Sequence, residues 1–548
     1  MIDIAFIWHM HQPYYKDDSR GLYMLPWTRL HGVKDYYPMA AMLEGFDNVK
    51  ATFNMVPVLV EQIIDYADNN ASDIFLELTI KKPSGLTLEE KARILENFFK
   101  VNTKRFIEPH PRYSDLLVKR GISNITPAGL RKTVSSLADR DFLDLQVLFN
   151  LAWFHSITIE SDPSLKSIVD KKEGYAEADK LYVVKKQRQI LAEIIPLYKK
   201  LQDAGRIEIT TTPYYHPILP LLCDTEVAKV SIPDIELPEK RFSHPEDAKW
   251  QLESAIRSHT AVFGSPPRGM WPSEGSVSDK ALDLAIGAGI DWVVTDEDIL
   301  FRTLSRYDEH YKARPLDRRL IYQPYRFKRE SRHIDMIFRD KNLSNLISFN
   351  YSGWDPDLAA LDLLDHFQNI SESMRRDADR ALVAIVMDGE NAWEHYEDNG
   401  RKFFELVYSR LEENEELETS TVSEYLEIEP ARRTLKKVFP GSWINHNFNI
   451  WIGSPQDNLA WQYLDKARKD LLKAAKGRSS RASEKSSDIE KAWREIYIAE
   501  GSDWNWWYGP ENNPGPNNPF DPLFRMHLKN VYKLIKKPVP AYLNKPII

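Results

Sequence analysis

The sequence has a single cysteine, Cys223, in 548 residues. One cysteine excludes an intrachain disulfide and any metal site built from several thiolates. Its neighbours Leu221 and Leu222 predict a buried, unreactive thiol. No apolar run reaches the length of about 20 residues that a membrane-spanning helix needs. We therefore expect a protein without a membrane-spanning segment and without cysteine chemistry.

Basic residues are fewer than acidic residues. The chain carries 73 Lys and Arg against 81 Asp and Glu, for a net charge of -8. This acidic balance disfavours nucleic acid and anionic membranes as general partners. The first eight residues lack the basic stretch and the cleavage site of a signal peptide, so we expect them to form the first strand of a cytoplasmic protein. The composition leaves the oligomeric state open.

What the sequence does have is aromatic side chains: 15 Trp, 25 Tyr and 23 Phe. Many of them stand in loops beside Gly, Pro, Asn and Asp. Such residues are most often anchors of a core. They are also the side chains that stack on the apolar faces of sugar rings. The composition therefore makes carbohydrate a candidate ligand.

Glu274 is the first candidate for a catalytic group. It follows a short apolar run that ends at Trp271 and Pro272. The pattern around it alternates, with helices predicted at 248–263 and 279–289 and a buried strand at 291–295. Glu274 then lies at the carboxyl end of a strand, where α/β barrels keep their reactive groups. A lone loop glutamate is most often a solvated charge, so a second carboxylate is needed to support the hypothesis.

Asp388 provides that second carboxylate. Residues 381–387 are seven apolar residues in a row, which predict a strand buried on both faces. Asp388 follows directly. A lone aspartate at this place most often caps a turn. Here Glu390, Trp393 and His395 crowd into the next seven residues, which favours chemistry over capping.

Histidines stand at the ends of two further predicted strands. His9 and His11 are two residues apart, so they point to the same face of the strand end. They can be two legs of a metal site, two hydrogen-bonding partners of a ligand hydroxyl, or histidines that only satisfy the fold. His216 follows a β-branched strand at about 205–212.

The remaining pattern predicts an α/β fold with helical additions. Residues 84–201 read as a mostly helical excursion, and further strands are predicted at 51–54, 333–338 and 346–349. Beyond residue 400 the strand signals fade, and helices at 456–475, 488–499 and 520–537, with a polar loop at 477–487, predict a helical C-terminal domain. The chain is thus divided into a catalytic domain, 1–400, and a helical domain, 401–548. Two aromatic segments, 441–453 and 501–509, either join the helices or face a substrate.

Five separated segments carry a resemblance to a known family. They are His9 to Pro13, Gly205 to Glu208, Trp271 to Glu274, Met387 to Asn391, and Gly501 to Trp507. Their order and content resemble the motifs of family 57 of the glycoside hydrolases, over nearly the whole chain. The resemblance implies an incomplete seven-stranded (β/α) barrel followed by an α-helical C-terminal domain that closes over the cleft.

The resemblance also implies roles for individual residues. Glu274 would be the nucleophile and Asp388 the general acid/base of a retaining α-glucan enzyme. The residues that fall where the family binds sugar are His9, His11, His216, Trp271, Glu390, Trp393, Asp503 and Trp506. His216 and Trp393 lie slightly outside the strictest motif positions.

Within the family, the Trp271 to Glu274 and Asp388 to Asn391 segments look most like the α-amylase and amylopullulanase branch. The expected substrate is an α-1,4-glucan such as maltodextrin, glycogen or starch, with α-1,6 linkages as a further target. 4-α-Glucanotransferases and α-glucan branching enzymes share the fold and the carboxylates, and are the alternative. The lack of a signal peptide favours intracellular glycogen or maltodextrin. No cofactor is expected, although a structural calcium ion stays open.

Retention at the anomeric carbon needs two carboxyl groups about 5–5.5 Å apart, one ionised and one protonated. Glu274 must therefore stay ionised, helped by arginine or histidine neighbours, while burial and nearby Glu390 favour a protonated Asp388. Two readings from other classes compete with this one. A metal-dependent enzyme would use His9 and His11 but leave Glu274 without a task. A carbohydrate-binding protein without catalysis would have little reason to keep both carboxylates.

Overall fold

A computed structural model describes residues 2–121, 126–312, 314–375, 380–476, 483–512 and 518–547. The strands are numbered in chain order: β1 (Ile2–Met10), β2 (Lys16–Asp17), β3 (Leu22–Tyr23), β4 (Ala51–Met55), β5 (Ser72–Asp73), β6 (Ile207–Thr210), β7 (Gly269–Met270), β8 (Trp292–Asp296), β9 (Tyr325–Arg329), β10 (Arg332–Arg339), β11 (Ala381–Asp388), β12 (Leu417–Thr419) and β13 (Arg433–Leu435).

The α-helices are numbered in the same way: α1 (Trp27–His31), α2 (Tyr37–Leu43), α3 (Pro57–Asp68), α4 (Ile74–Ile80), α5 (Leu88–Asn97), α6 (Pro111–Arg120), α7 (Pro127–Val134), α8 (Asp139–Leu151), α9 (Ser156–Ser161), α10 (Pro163–Asp170), α11 (Glu177–Asp203), α12 (Leu219–Cys223), α13 (Ala228–Ser231), α14 (Pro245–Phe263), α15 (Asp279–Ala288), α16 (Glu297–Tyr307), α17 (Lys341–Asn345), α18 (Pro356–Met374), α19 (Arg401–Glu412), α20 (Val422–Ile428), α21 (Pro455–Lys476), α22 (Ser483–Ala499), α23 (Ser502–Trp506) and α24 (Phe520–Leu534).

Seven parallel strands form a nearly closed barrel. Their order around the barrel is β1, β4, β6, β7, β8, β10 and β11. Two seams are held by one residue pair each, Thr211 with Met270 between β6 and β7, and Arg339 with Ala384 between β10 and β11. The predicted incomplete seven-stranded barrel is therefore confirmed.

Burial explains why the central strands read as continuous apolar runs. All nine residues of β1 are buried, and so are the first seven of β11. A parallel strand covered on both faces has no solvent side that would call for alternating polar residues. The predicted buried strand at 381–387 is thus confirmed as β11.

The strand predicted at 346–349 is wrong. Residues Leu346–Asn350 form a π-helical turn that continues directly from α17. The side chain of Asp340 caps α17 by accepting a hydrogen bond from the amide of Leu343 at 3.0 Å. That cap starts a helix just before the apolar run, and the helical conformation then continues through it.

The predicted helical excursion, residues 84–201, contains helices α5 to α11. The described residues of this region form no strand, and they pack around an apolar cluster separate from that of the barrel. Phe98 and Phe149 stack at its centre, with ring centroids 4.5 Å apart. The excursion is therefore a helical layer attached to the barrel between β5 and β6.

The C-terminal region is helical, but the sheet extends past residue 400. β12 pairs with β1 and β13 pairs with β9, both in parallel. The division into 1–400 and 401–548 stays a prediction, with two short strands of the sheet beyond its boundary. The last five residues of the polar loop predicted at 477–487 are helical, because α22 begins at Ser483; residues 477–482 lie outside the described residues.

None of the helices formed by the described residues combines the length and the apolar composition that crossing a membrane requires.

The close approach of β7 to β8 predicts the effect of a small substitution. A Cβ atom added at Gly269 would lie 2.1 Å from the ring of Trp292, a buried side chain fixed by hydrogen bonds to Glu208 and Ser423. Gly269→Ala should therefore cost about 1–3 kcal/mol of stability through overpacking. Thermal unfolding measures this as a lower Tm.

The matched control is Gly287→Ala on α15, where an added Cβ meets nothing within 4 Å. This change should stabilise the helix by about 0.5–1 kcal/mol. Equal melting temperatures for the two variants would contradict the packing described for Gly269.

Candidate active site

The barrel places polar side chains at one rim, where the parallel strands end. In the register of the sheet, His9 of β1 lies opposite Asp388 of β11 on one side and Asn54 of β4 on the other. Asn54 in turn lies opposite Thr210 of β6. The strand ends that the sequence pattern singles out therefore meet at the same level of the barrel.

Glu274 follows β7 at this rim, in a single helical turn formed by Ser273–Gly275. Its backbone has a φ of 56°, a left-handed conformation that a residue with a Cβ rarely adopts. The indole Nε1 of Trp443 donates to Oε2 of Glu274 at 2.8 Å, and the amide of Trp443 donates to the carbonyl of Glu274 at 2.9 Å. The strained turn is thus fixed by a residue from the C-terminal part of the chain.

The electrostatic environment of Glu274 differs from the expectation that it stays ionised. Burial raises the pKa of Glu274 to about 8; the charges of Asp388 and Asp503 add to the rise, and the hydrogen bond from Trp443 opposes it. The nearest imidazole, His216, has its Nδ1 4.0 Å from Oε1 of Glu274. It supplies no positive charge, since burial holds the pKa of His216 well below its usual value. Burial therefore favours the protonated form of Glu274.

Asp388 ends β11 and borders an open cleft of about 470 Å³. Trp443, Trp506 and Arg339 line the same cleft. Burial raises the pKa of Asp388, against the opposing hydrogen bond that Asn391 donates at 3.2 Å. The direction of this shift is the one that a general acid needs.

Asn54 determines which atom of His9 is free to bind a ligand. The amide nitrogen of Asn54 donates to the carbonyl of Thr211 at 2.7 Å, so its Oδ1 is the acceptor for Nδ1 of His9, also at 2.7 Å. His9 then carries its proton on Nδ1 and presents Nε2 as an acceptor. Burial lowers the pKa of His9 to about 3, so the ring is neutral at any pH where the protein functions.

The C-terminal helices complete the rim. Asp503 on α23 lies 2.7 Å from Nε2 of His11, and the hydroxyl of Ser502 lies 2.9 Å from Nδ1 of His216. The amide of Ser502 also donates to the carbonyl of His216 at 3.0 Å. His216, like Glu274, has a positive φ, of 58°. The barrel and the helical region therefore build this part of the site together.

His11, His216 and Asp503 are also the residues that can hold a metal ion. One ligand atom from each lies within 4.8 Å of the others. Two imidazoles and one carboxylate form a donor set that zinc binds. The same three groups are equally suited to hydrogen bonds with sugar hydroxyls, because they offer donors and acceptors in one place.

Two other predicted residues lie beneath the rim. Trp271 is buried; its ring stacks on His9, with centroids 4.9 Å apart, and its Nε1 has no hydrogen-bond partner among the described residues. Glu390 is buried beside Gln12, and its Oε2 likewise has no such partner. Burial raises the pKa of Glu390 well above its usual value, and so favours its protonated form.

Trp393 does not line the cleft of Asp388, and its role in substrate binding stays a prediction. Its ring is buried among Trp8, Phe404 and Tyr396. Its Nε1 donates to the carbonyl of Gly389 at 2.9 Å. Trp393 therefore holds the turn after Asp388 in place, and its polar atom is already used.

Sequence reasoning missed three residues that shape the site. Trp443 contacts Glu274, Arg339 lies against the ring of Trp443 at 5.2 Å, and Asn54 orients His9. The signals were weak: Trp443 lies in an aromatic segment recognised as unusual, and the other two end predicted strands. The roles of these three residues become visible only from the side chains that they contact in the folded protein.

Comparisons with known proteins agree with this geometry. Residues 5–438 match the sequence model of Glycosyl hydrolase family 57. A branching enzyme of that family from Thermococcus kodakaraensis, crystallised with glucose, is 16% identical with a TM-score of 0.61, covering 97% of this chain and 90% of that one. No curated protein sequence matches.

Two further solved structures have a similar fold. The family 57 branching enzyme of Pyrococcus horikoshii is 16% identical with a TM-score of 0.60, and the match covers 99% of this chain and 97% of that one. The α-amylase AmyC of Thermotoga maritima is 14% identical with a TM-score of 0.58, covering 97% and 93%. At these identities the likeness concerns the fold.

The contact between Trp443 and Glu274 predicts a pH effect. Trp443→Phe removes the hydrogen bond that favours the carboxylate, so the pKa of Glu274 should rise further above 8. A smaller fraction of Glu274 is then ionised at pH 7, and kcat/KM at that pH should fall by roughly tenfold, the effect of losing one hydrogen bond to a charged group. In the pH profile of kcat/KM on maltoheptaose, the acidic limb should move to higher pH.

Trp493→Phe on α22, where the ring stacks on Tyr497, is the matched control and should leave the profile in place. An unchanged profile in the Trp443 variant would show that this hydrogen bond does not govern the ionisation of Glu274.

Proposed function

Because this chain belongs to glycosyl hydrolase family 57, we propose that it is a retaining glycosidase of α-1,4-glucans such as maltodextrin, glycogen or starch. Glu274 is the nucleophile and Asp388 the general acid/base. The observation that carries the proposal is the position of two carboxyl groups with raised pKa values at the same rim, on β11 and just after β7.

The reaction assigns a separate task to each carboxyl group. The ionised form of Glu274 attacks the anomeric carbon, while Asp388 protonates the leaving oxygen; Asp388 then activates the water or sugar that releases the intermediate. In the active form, Glu274 and Asp388 share one proton between them. The apparent pKa values of the pH–activity profile therefore describe the two carboxyl groups together. Trp443 favours the ionised state of Glu274.

The groups around the carboxyls suit a sugar ring. Neutral His9 and His216, with Asp503 and His11, offer a dense set of hydrogen-bonding atoms. Trp506 gives the cleft an aromatic wall. These residues and the buried Trp271 and Glu390 form our proposed binding site. We propose intracellular glycogen or maltodextrin as the natural substrate. Cell fractionation tests whether the protein is located inside the cell.

Transfer to another glucan is the second candidate reaction, because two of the structures with a similar fold are branching enzymes. Product separation after incubation with maltoheptaose distinguishes the two. Hydrolysis gives only shorter chains and new reducing ends, whereas transfer also gives longer or branched chains without a matching rise in reducing ends. Pullulan tests α-1,6 cleavage. Binding of these glucans without any product would favour a carbohydrate-binding protein.

Glu274→Ala tests the nucleophile. The variant should lose cleavage of maltoheptaose, by more than about 1,000-fold in kcat/KM, because no covalent intermediate can form. Azide should restore turnover and give a glycosyl azide of inverted configuration, since the small anion replaces the missing carboxylate on the same side of the sugar. Product configuration is read by NMR.

Glu226→Ala, which removes an exposed glutamate paired with Lys229, is the matched control and should keep wild-type activity. Near-normal activity in Glu274→Ala, with an unchanged Tm, would reject the proposed nucleophile.

We also propose that catalysis needs no metal, because the two carboxyl groups suffice for both steps. EDTA should then leave kcat/KM unchanged. A fall in Tm on chelation, with activity retained, would indicate a structural calcium ion. Loss of activity that one equivalent of zinc restores would contradict the proposal and point to His11, His216 and Asp503.

A further inference from the structure

Phe349 is exposed at the edge of the cleft. Its side chain is 76% exposed, and it lines the same cleft as Asp388 and Trp506. It lies in the π-helical turn Leu346–Asn350. The residue is therefore an aromatic ring at the border of the site, with no role in the chemistry described above.

The exposed apolar surface continues along the chain from Phe349. Trp354 is 48% exposed, and Leu358 and Leu361 on α18 are 60% and 46% exposed. The two leucines are three residues apart, so they share one face of that helix. We call these four residues the ridge. Phe349 lines the cleft, and the other three side chains follow it within twelve residues of the chain. Exposed large apolar side chains that cluster in this way are candidates for a binding surface.

Contacts on two sides fix the part of the ridge around Trp354. The rings of Tyr351 and Trp354 meet edge to face at 5.3 Å, and the hydroxyl of Tyr351 donates to Asp362 of α18 at 2.6 Å. Arg105 of the helical excursion donates to the carbonyl of Ser352 at 3.3 Å. The segment between Phe349 and Trp354 is thus held from two sides.

The polar neighbours of the ridge fit a sugar chain. Asn391, Ser348 and His395 line the cleft next to Phe349. His395 is also linked to the helical excursion, because Arg105 donates to its carbonyl at 3.0 Å. A glucan alternates apolar ring faces with edges that carry hydroxyl groups. The aromatic side chains of the ridge suit the ring faces, and the neighbouring amide, hydroxyl and imidazole groups suit the hydroxyl edges.

We propose that the ridge is an outer glucan-binding site that continues the cleft, with Phe349 and Trp354 stacking on successive parts of one long α-glucan chain. The inference rests on the proposed function for the identity of the ligand. Continuity with the cleft is the reason for choosing the substrate as the ligand: Phe349 lines the same cleft as Asp388, so a long chain with its reacting bond at Asp388 can extend over Phe349. The ridge would give the enzyme a preference for long chains over short ones.

Trp354→Ala tests the ridge through the ratio of kcat/KM on amylose to kcat/KM on maltotetraose. Loss of one stacking ring should lower this ratio about two- to tenfold. Trp354→Phe, which keeps a ring, should restore most of it. Ile428→Ala removes an apolar side chain that is 56% exposed, from α20, whose residues do not line the cleft, and should keep the wild-type ratio.

Electrophoresis through a native gel containing amylose gives a readout independent of activity. Trp354→Ala should migrate faster than the wild type and the Ile428 control, because it binds the immobile glucan less tightly. If Trp354→Ala changes neither the ratio of kcat/KM values nor the migration, the proposal that the ridge binds glucan is rejected. A change of oligomeric state in Trp354→Ala, by sedimentation, with the ratio intact, would also reject it, because the surface would then serve protein contacts.

The two proposals fail separately. If the wild type cleaves neither glucan, the proposed function is rejected, while slower migration that depends on Trp354 would still support glucan binding at the ridge. If the wild type cleaves both and the ratio and migration do not respond to Trp354, only the ridge is rejected.

Discussion

The parallel register of the barrel strands is the constraint on which the rest of this protein depends. β1 lies between β4 and β11, and its pairing brings His9, Asn54 and Asp388 to one level although they are far apart in the sequence. A shift of one residue in a strand would turn its side chains to the other face. β1 and the first seven residues of β11 are buried, so the core of the barrel encloses the strands that carry these groups.

The barrel alone does not make the site. Glu274 depends on Trp443, while His11 and His216 depend on Asp503 and Ser502. These contacts hold two residues, Glu274 and His216, in a left-handed backbone conformation that costs about 1–3 kcal/mol each. The surrounding hydrogen bonds offset that cost. The C-terminal region is consequently part of the site's structure as well as its cover.

Burial governs the electrostatics of this rim. It keeps His9 and His216 neutral and raises the pKa of Glu274, Asp388 and Glu390. The site therefore contains few full charges, and its polarity comes from hydrogen-bonding atoms. Such a site discriminates hydroxyl groups well, because an unpaired buried donor or acceptor costs about 1–3 kcal/mol.

The sequence by itself determined the buried strands and the polar residues at their ends, because buried parallel strands leave continuous apolar runs; the incomplete barrel was implied by the family resemblance. The sequence could not decide which neighbours those polar residues have. Trp393 shares a segment with Asp388 yet faces the core, and the apolar run at 346–349 became a helical turn that exposes Phe349. Likewise, the hydrogen bond that opposes the raised pKa of Glu274 comes from Trp443, 169 positions away along the chain. Side-chain direction, hydrogen-bond partners and burial depend on contacts between distant segments, and only the tertiary structure sets those.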